Sequence, residues 1–217
     1  MNITNKTNLC FSQFNRSPWP ANPRDDGCVI EGTLVLLENG KQKLIEEIVP
    51  ASKEGQGDIL ISSNGSSVFP VAMVRGPERN FPIVQLTLDK GESAFKVAAS
   101  KTHVFLRPES RLVLADSIEA GDRLVTSEGV ATVSSVEFIQ YKGDVWNVIL
   151  ADNIVSNKVI NGDISLELLV SLASASLLGL SPNEQLILTN GVVSGALALQ
   201  LMVEGYVHTG FSLSNFN

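Results

Sequence analysis

From residue 28 to about residue 163, Gly, Asp, Asn and Pro cut the chain into short apolar runs. They lie at 33–38, 41–48, 59–62, 68–74, 83–88, 94–98, 103–106, 112–114, 123–126, 131–141 and 145–150. Runs this short, separated by turn residues, predict a compact, mainly β unit and not a parallel α/β sheet, which would need crossover helices between its strands. Asn39-Gly40, between the first two runs, predicts a two-residue type I′ hairpin, because both of its central residues take positive φ. Residues 114–122 read as a turn with a short helical kink.

The flanks differ from this unit. Pro18, Pro20 and Pro23 bias residues 17–23 toward extended backbone, and 24–27 read as a loop, so residues 1–27 form a flexible leader. Its first residues lack the basic start and apolar run of a signal peptide, and the compartment stays open. From about 164 the apolar residues fall at helical spacing, and Ser181-Pro182 restarts a helix as a cap followed by proline. Residues 187–203 carry no charge, yet Asn190, Gly191, Gly195 and Gln200 weaken them as a bilayer span. The expectation is an apolar helical extension over 164–217, packed on the β unit or on a membrane or partner protein.

A net charge of −7 and a pI near 4.9 exclude a phosphate backbone as partner, since no basic stripe is available to neutralise it. Two cysteines and two histidines, scattered, give no zinc spacing. No metal or cofactor is expected. A single bridge between Cys10 and Cys28 is allowed.

The chemistry concentrates at two places. Gly27-Cys28 stands at the mouth of the first hairpin, and Ser100-Lys101-Thr102-His103 lies further on. A thiolate beside its own preceding peptide bond can attack that carbonyl and move the acyl group from nitrogen to sulfur. Glycine before the cysteine leaves the carbonyl uncrowded. The departing amide nitrogen needs a proton, which a histidine can supply. A hydroxyl three residues before that histidine can hold the scissile amide. Ser100 and His103 have that spacing, and Thr102 is the second hydroxyl.

These motifs resemble the Hint (Hedgehog/intein) self-processing domain. In that family a cysteine opens the domain, often as Gly-Cys, and a G-T-x-V-x-L-x-(D/N)-G-like hairpin follows. Here Gly27-Cys28 precedes Gly32-Thr33-Leu34-Val35-Leu36-Leu37-Glu38-Asn39-Gly40. The family's T-x-x-H motif is matched by Ser100 to His103, with serine where threonine is usual. Ile118-Glu119-Ala120-Gly121-Asp122-Arg123-Leu124 resembles its G-D step, and Val145-Trp146-Asn147-Val148-Ile149-Leu150 its closing strand. The resemblance covers about 28–163. It implies an all-β Hint fold, a thioester at Gly27-Cys28, catalytic roles for Cys28, His103, Ser100 and Thr102, and single-turnover self-cleavage of the leader by water, a thiol or another small nucleophile.

Splicing inteins end in His-Asn followed by a nucleophile. Here Asn161 and Asp163 are the junction candidates, with no histidine before either and no nucleophile after Asn161. The resemblance therefore favours a Hedgehog-like or bacterial intein-like outcome over splicing. The alternatives are a catalytically inactive Hint-fold scaffold or interaction module, and a membrane- or oligomer-associated protein driven by its tail.

Overall fold

The computed structural model describes residues 27–91, 93–165, 168–169, 172–173 and 178–207, without the side chains of 76–79 and 204–207. The expected leader, Cys10 included, lies outside the described residues apart from Gly27.

Two long antiparallel strands form the spine, β5 (Ser67–Lys90) and β10 (Gly129–Ala151). They pair from Asp89 opposite Thr132 down to Phe69 opposite Ala151. The sequence divides each into two short runs, at Gly76-Pro77 and at Gly143-Asp144. The strands cross both breaks, because a register shift between Gly143 and Val145 takes up the irregularity without ending the ladder. The fold is mainly β, dominated by one antiparallel sheet.

The lower half of β10 explains its own composition. Every residue from Val145 to Ala151 is buried. Trp146, Val148 and Leu150 face the main core, while Ile149 and Ala151 face a second cluster that contains Leu197 and Ala198. A strand covered on both faces reads as a continuous apolar run, not as an alternation.

The short strand β1 (Val29–Ile30) slots between β10 and β6 (Ser93–Ser100), with Val29 opposite both Trp146 and Ala99. The first hairpin is formed by β2 (Leu34–Leu36) and β3 (Gln42–Leu44). Its turn is not type I′. Only Gly40 has positive φ, Gly40 N–H donates to Leu37 O, and Leu37 N–H donates to Lys41 O. This is the longer loop in which a type I turn is followed by a left-handed glycine.

Short strands complete the middle of the chain: β4 (Leu60–Ile61), β7 (Val104–Arg107), β8 (Arg111–Leu114) and β9 (Arg123–Thr126). A helix that the sequence pattern missed, α1 (Asn153–Asn161), follows β10. Asp152 caps it by accepting from Val155 N–H at 2.7 Å, and Gly162 ends it in the left-handed region.

The largest departure lies in the tail. Ser181 and Glu184 do form a capping box, but the helix they start lasts one turn, Pro182–Gln185. Two strands follow, β11 (Leu186–Thr189) and β12 (Val192–Gly195). β11 pairs with β2, and β12 pairs with β7 and β9. The β unit thus does not stop near 163; residues 186–195 complete its sheet. Asn190 and Gly191 both have positive φ, at 47° and 80°, so the I′ geometry expected at 39–40 occurs here instead.

The expected helical backbone shows at 168–169 and 172–173, where Leu169 N–H donates to Ser165 O, and again after β12 as α2 (Leu197–Val207). Its first turn is buried, with Leu197 and Ala198 on the β5–β10 layer and Leu199 against Leu186 and Val193. Burying each leucine side chain is worth about 1.5–3 kcal/mol. No helix among the described residues is long and apolar enough to cross a membrane.

Candidate functional site

Cys28 sits at the end of β1, opposite Ser100 at the end of β6. An antiparallel pair at this position would exchange two backbone hydrogen bonds. One is made, from Ser100 N–H to Cys28 O at 2.8 Å. The Ser100 carbonyl accepts from His103 N–H at 3.1 Å in the turn that follows. Cys28 N–H donates instead to Ser100 Oγ at 2.8 Å. The amide nitrogen of the Gly27–Cys28 bond is therefore held by a side-chain hydroxyl.

The same turn aims His103. Its carbonyl accepts from Ala115 N–H at 2.8 Å, and its ring meets Phe105 edge-on with centroids 5.1 Å apart. The imidazole is buried, and burial pushes its pKa down to about 4, while the nearby Gly27 carbonyl opposes the shift. At neutral pH the ring is uncharged. Thr102 is part-buried in the turn beside it.

The carbonyl end of the same peptide bond is held from another direction. Asn147, on β10, donates from Nδ2 to Gly27 O and also to Gln200 Oε1, the second at 2.5 Å. Gln200, on α2, places Nε2 2.6 Å from His103 Nδ1. Both amides are buried. A Cβ added at Gly27 would fall inside the Gln200 amide. A larger residue at 27 would thus have to displace the Gln200 amide.

Cys28 itself is a buried thiol among Phe81, Ile83, Ala98 and Val145. Gly27, Cys28, Ser100 and His103 lie together in one buried cluster. Asn161 and Asp163 do not join it; they lie exposed at the end of α1. No group of residues suited to a metal ion occurs among the described residues.

Solved structures share this architecture. The gp41-1 intein superposes with a TM-score of 0.51 at 14% identity, covering 78% of this chain and 98% of that one. The bacterial intein-like domain from Clostridium thermocellum gives 0.51 at 17%, covering 77% and 97%. A DnaB intein from Synechocystis sp. PCC 6803 gives 0.52 at 11%, covering 78% and 98%. This chain has the Hint fold. No protein-family model and no curated protein matches it by sequence.

Within the Hint fold, two residues of the cluster escaped the sequence reading. Asn147 lies in the closing-strand segment and had a readable signal, a lone polar residue inside an apolar run. A buried amide in that setting must have partners, or it costs about 1–3 kcal/mol. Gln200 has the same signature inside the uncharged stretch 187–203, where it counts equally as a flaw in a membrane span.

Proposed function

We propose that this chain is a self-processing domain that breaks its own Gly27–Cys28 peptide bond. The observation that carries the reading is the grip on that bond at both ends, with Ser100 Oγ on its nitrogen and Asn147 Nδ2 on its oxygen. A peptide bond fixed so, next to a buried histidine and preceding a cysteine, is arranged for rearrangement and not merely for packing.

In the step proposed, Cys28 Sγ gives up its proton, the neutral His103 ring takes one up, and the thiolate attacks the Gly27 carbonyl carbon. The C–S bond forms, and negative charge develops on Gly27 O, where Asn147 Nδ2 donates. Such a donor is worth roughly 10²–10³ in rate when aimed at the oxyanion. The C–N bond then breaks, and Cys28 N takes up one proton, so the thioester and free amine balance the starting thiol and amide. His103 in its imidazolium form is the proton donor. A ring whose pKa lies near 4 holds that proton loosely and is a strong acid once charged.

Water, a thiol or another small nucleophile then attacks the thioester and releases residues 1–27, as in the Hedgehog-like or bacterial intein-like outcome. Ligation is not part of the reading, because Asn161 and Asp163 stand apart from the cluster. The test is release of the leader by dithiothreitol, followed by intact mass. The 28–217 fragment should accumulate in wild type and not in Cys28→Ala, and no product should join residues 1–27 to any segment of the tail. A joined product would restore splicing.

A further inference from the structure

The side-chain amides at the site set one orientation for the amide–imidazole chain, against the pull of the Gly27 carbonyl, which favours a protonated ring. Asn147 Oδ1 accepts from Val148 N–H at 2.7 Å. That fixes Asn147 Nδ2 as the atom facing Gly27 O and Gln200. The Gln200 atom that meets this donor must be its oxygen, which turns Nε2 toward His103 Nδ1. An amide nitrogen has protons to give and no lone pair to accept with. Nδ1 therefore accepts, and the proton of the neutral ring sits on Nε2. His103 Nε2 is buried and has no hydrogen-bond partner.

This orientation has a chemical consequence. The imidazolium needs protons on both nitrogens, and a proton on Nδ1 would point at the Gln200 N–H. The charged form is accessible only after the Gln200 amide turns or withdraws. Against the ring lie Gln200 from α2, Phe105 and the Gly27 carbonyl, which carry no charge, and Cys28 is the titratable group of the neighbouring strand.

We propose that Gln200 is a positioning residue that holds His103 in its neutral, Nε2-protonated form, so that the helix after the last strand sets when the proposed acid can charge. The proposal rests on the reading of His103 as the acid for cleavage at Gly27–Cys28.

The ring's state can be read without any cleavage. In full-length Cys28→Ala protein, ¹⁵N spectra of the His103 ring should show Nδ1 unprotonated and Nε2 protonated at neutral pH. Gln200→Glu puts an acceptor in place of the donor. It should move the proton to Nδ1 and raise the His103 pKa by about 1–3 units, the range for an adjacent opposite charge. In the otherwise wild-type chain the same substitution should speed thioester formation at neutral pH, by less than about tenfold per unit of that rise, because the more populated imidazolium is also a weaker acid. A protonated Nδ1 in Cys28→Ala protein overturns the proposal without needing Gln200→Glu to fold. So does a folded Gln200→Glu protein in which His103 titrates unchanged, or one that reacts no faster. Absence of any leader release from wild type would instead remove the reaction, leaving the ring assignment to stand on its spectra.

Discussion

The two ends of the Gly27–Cys28 peptide bond are held by different kinds of structure. On the nitrogen side, Ser100 and Cys28 face each other across a sheet ladder, and the Ser100 hydroxyl accepts from Cys28 N–H while its carbonyl accepts within the turn that follows. On the oxygen side, Asn147 comes from the middle of a long strand, and Gln200 and His103 continue the chain of hydrogen bonds through a helix. The first grip needs only correct strand register. The second needs β11, β12 and α2 to be in place, because α2 is carried to the site by the strands before it. The nitrogen side is thus built by the opening segment and β6, and the oxygen side by β10 together with the helix α2.

The comparison can be broken at its shared member first. His103→Ala should slow thioester formation by roughly 10²–10⁴, the range for a positioned acid. Single-turnover release with excess thiol would measure it, and unchanged kinetics would return this histidine to a packing role. Asn147→Ala removes the donor from the oxygen side and should cost about 10²–10³. A loss below tenfold there would mean that the carbonyl grip is structural.

The buried ring also links folding to pH. Its folded pKa of about 4 lies below the ordinary 6.5. Between those values the unfolded chain binds a proton that the folded chain does not, so this contribution is complete above pH 6.5 and is lost as pH falls toward 4. The loss should reach about 3 kcal/mol. Urea midpoints of Cys28→Ala protein across that window would follow it, and a Cys28→Ala, His103→Leu double variant should lack this component. The smallest effect falls on the nitrogen side. Ser100→Ala leaves the sheet ladder intact and removes one hydrogen bond worth about 1 kcal/mol, so cleavage should slow by about tenfold or less.

The nitrogen side was also the more legible in the sequence. Gly27-Cys28 and the Ser100–His103 spacing are local patterns, and a sheet built from alternating short runs brings local patterns together without further information. Asn147 and Gln200 meet their partners across 120 and 97 positions of sequence. Each had a signal, a buried amide in an apolar run, but nothing in the run names the partner. The two Asn-Gly pairs show the same limit. The pair at 39–40 looked like a type I′ turn and closes a longer loop, whereas the pair at 190–191 looked like damage to a helix and is the I′ turn. Which geometry forms depends on where the flanking strands pair, with β11 held between β2 and β12, and pairing is a tertiary fact. The same cause hid the strands at 186–195. Their neutral residues are apolar because sheet and helix cover them, and an uncharged run does not say what covers it.

The central claim is that the carbonyl carbon of Gly27 becomes an acyl-sulfur centre. Hydroxylamine traps such a centre as a hydroxamate, so the most direct measurement is intact mass and fragmentation after treating wild type and Cys28→Ala at neutral pH. The account predicts a 1–27 fragment ending in a Gly27 hydroxamate together with an intact 28–217 chain from wild type, and a full-length chain from Cys28→Ala. A wild-type chain that stays full length through prolonged treatment would contradict it.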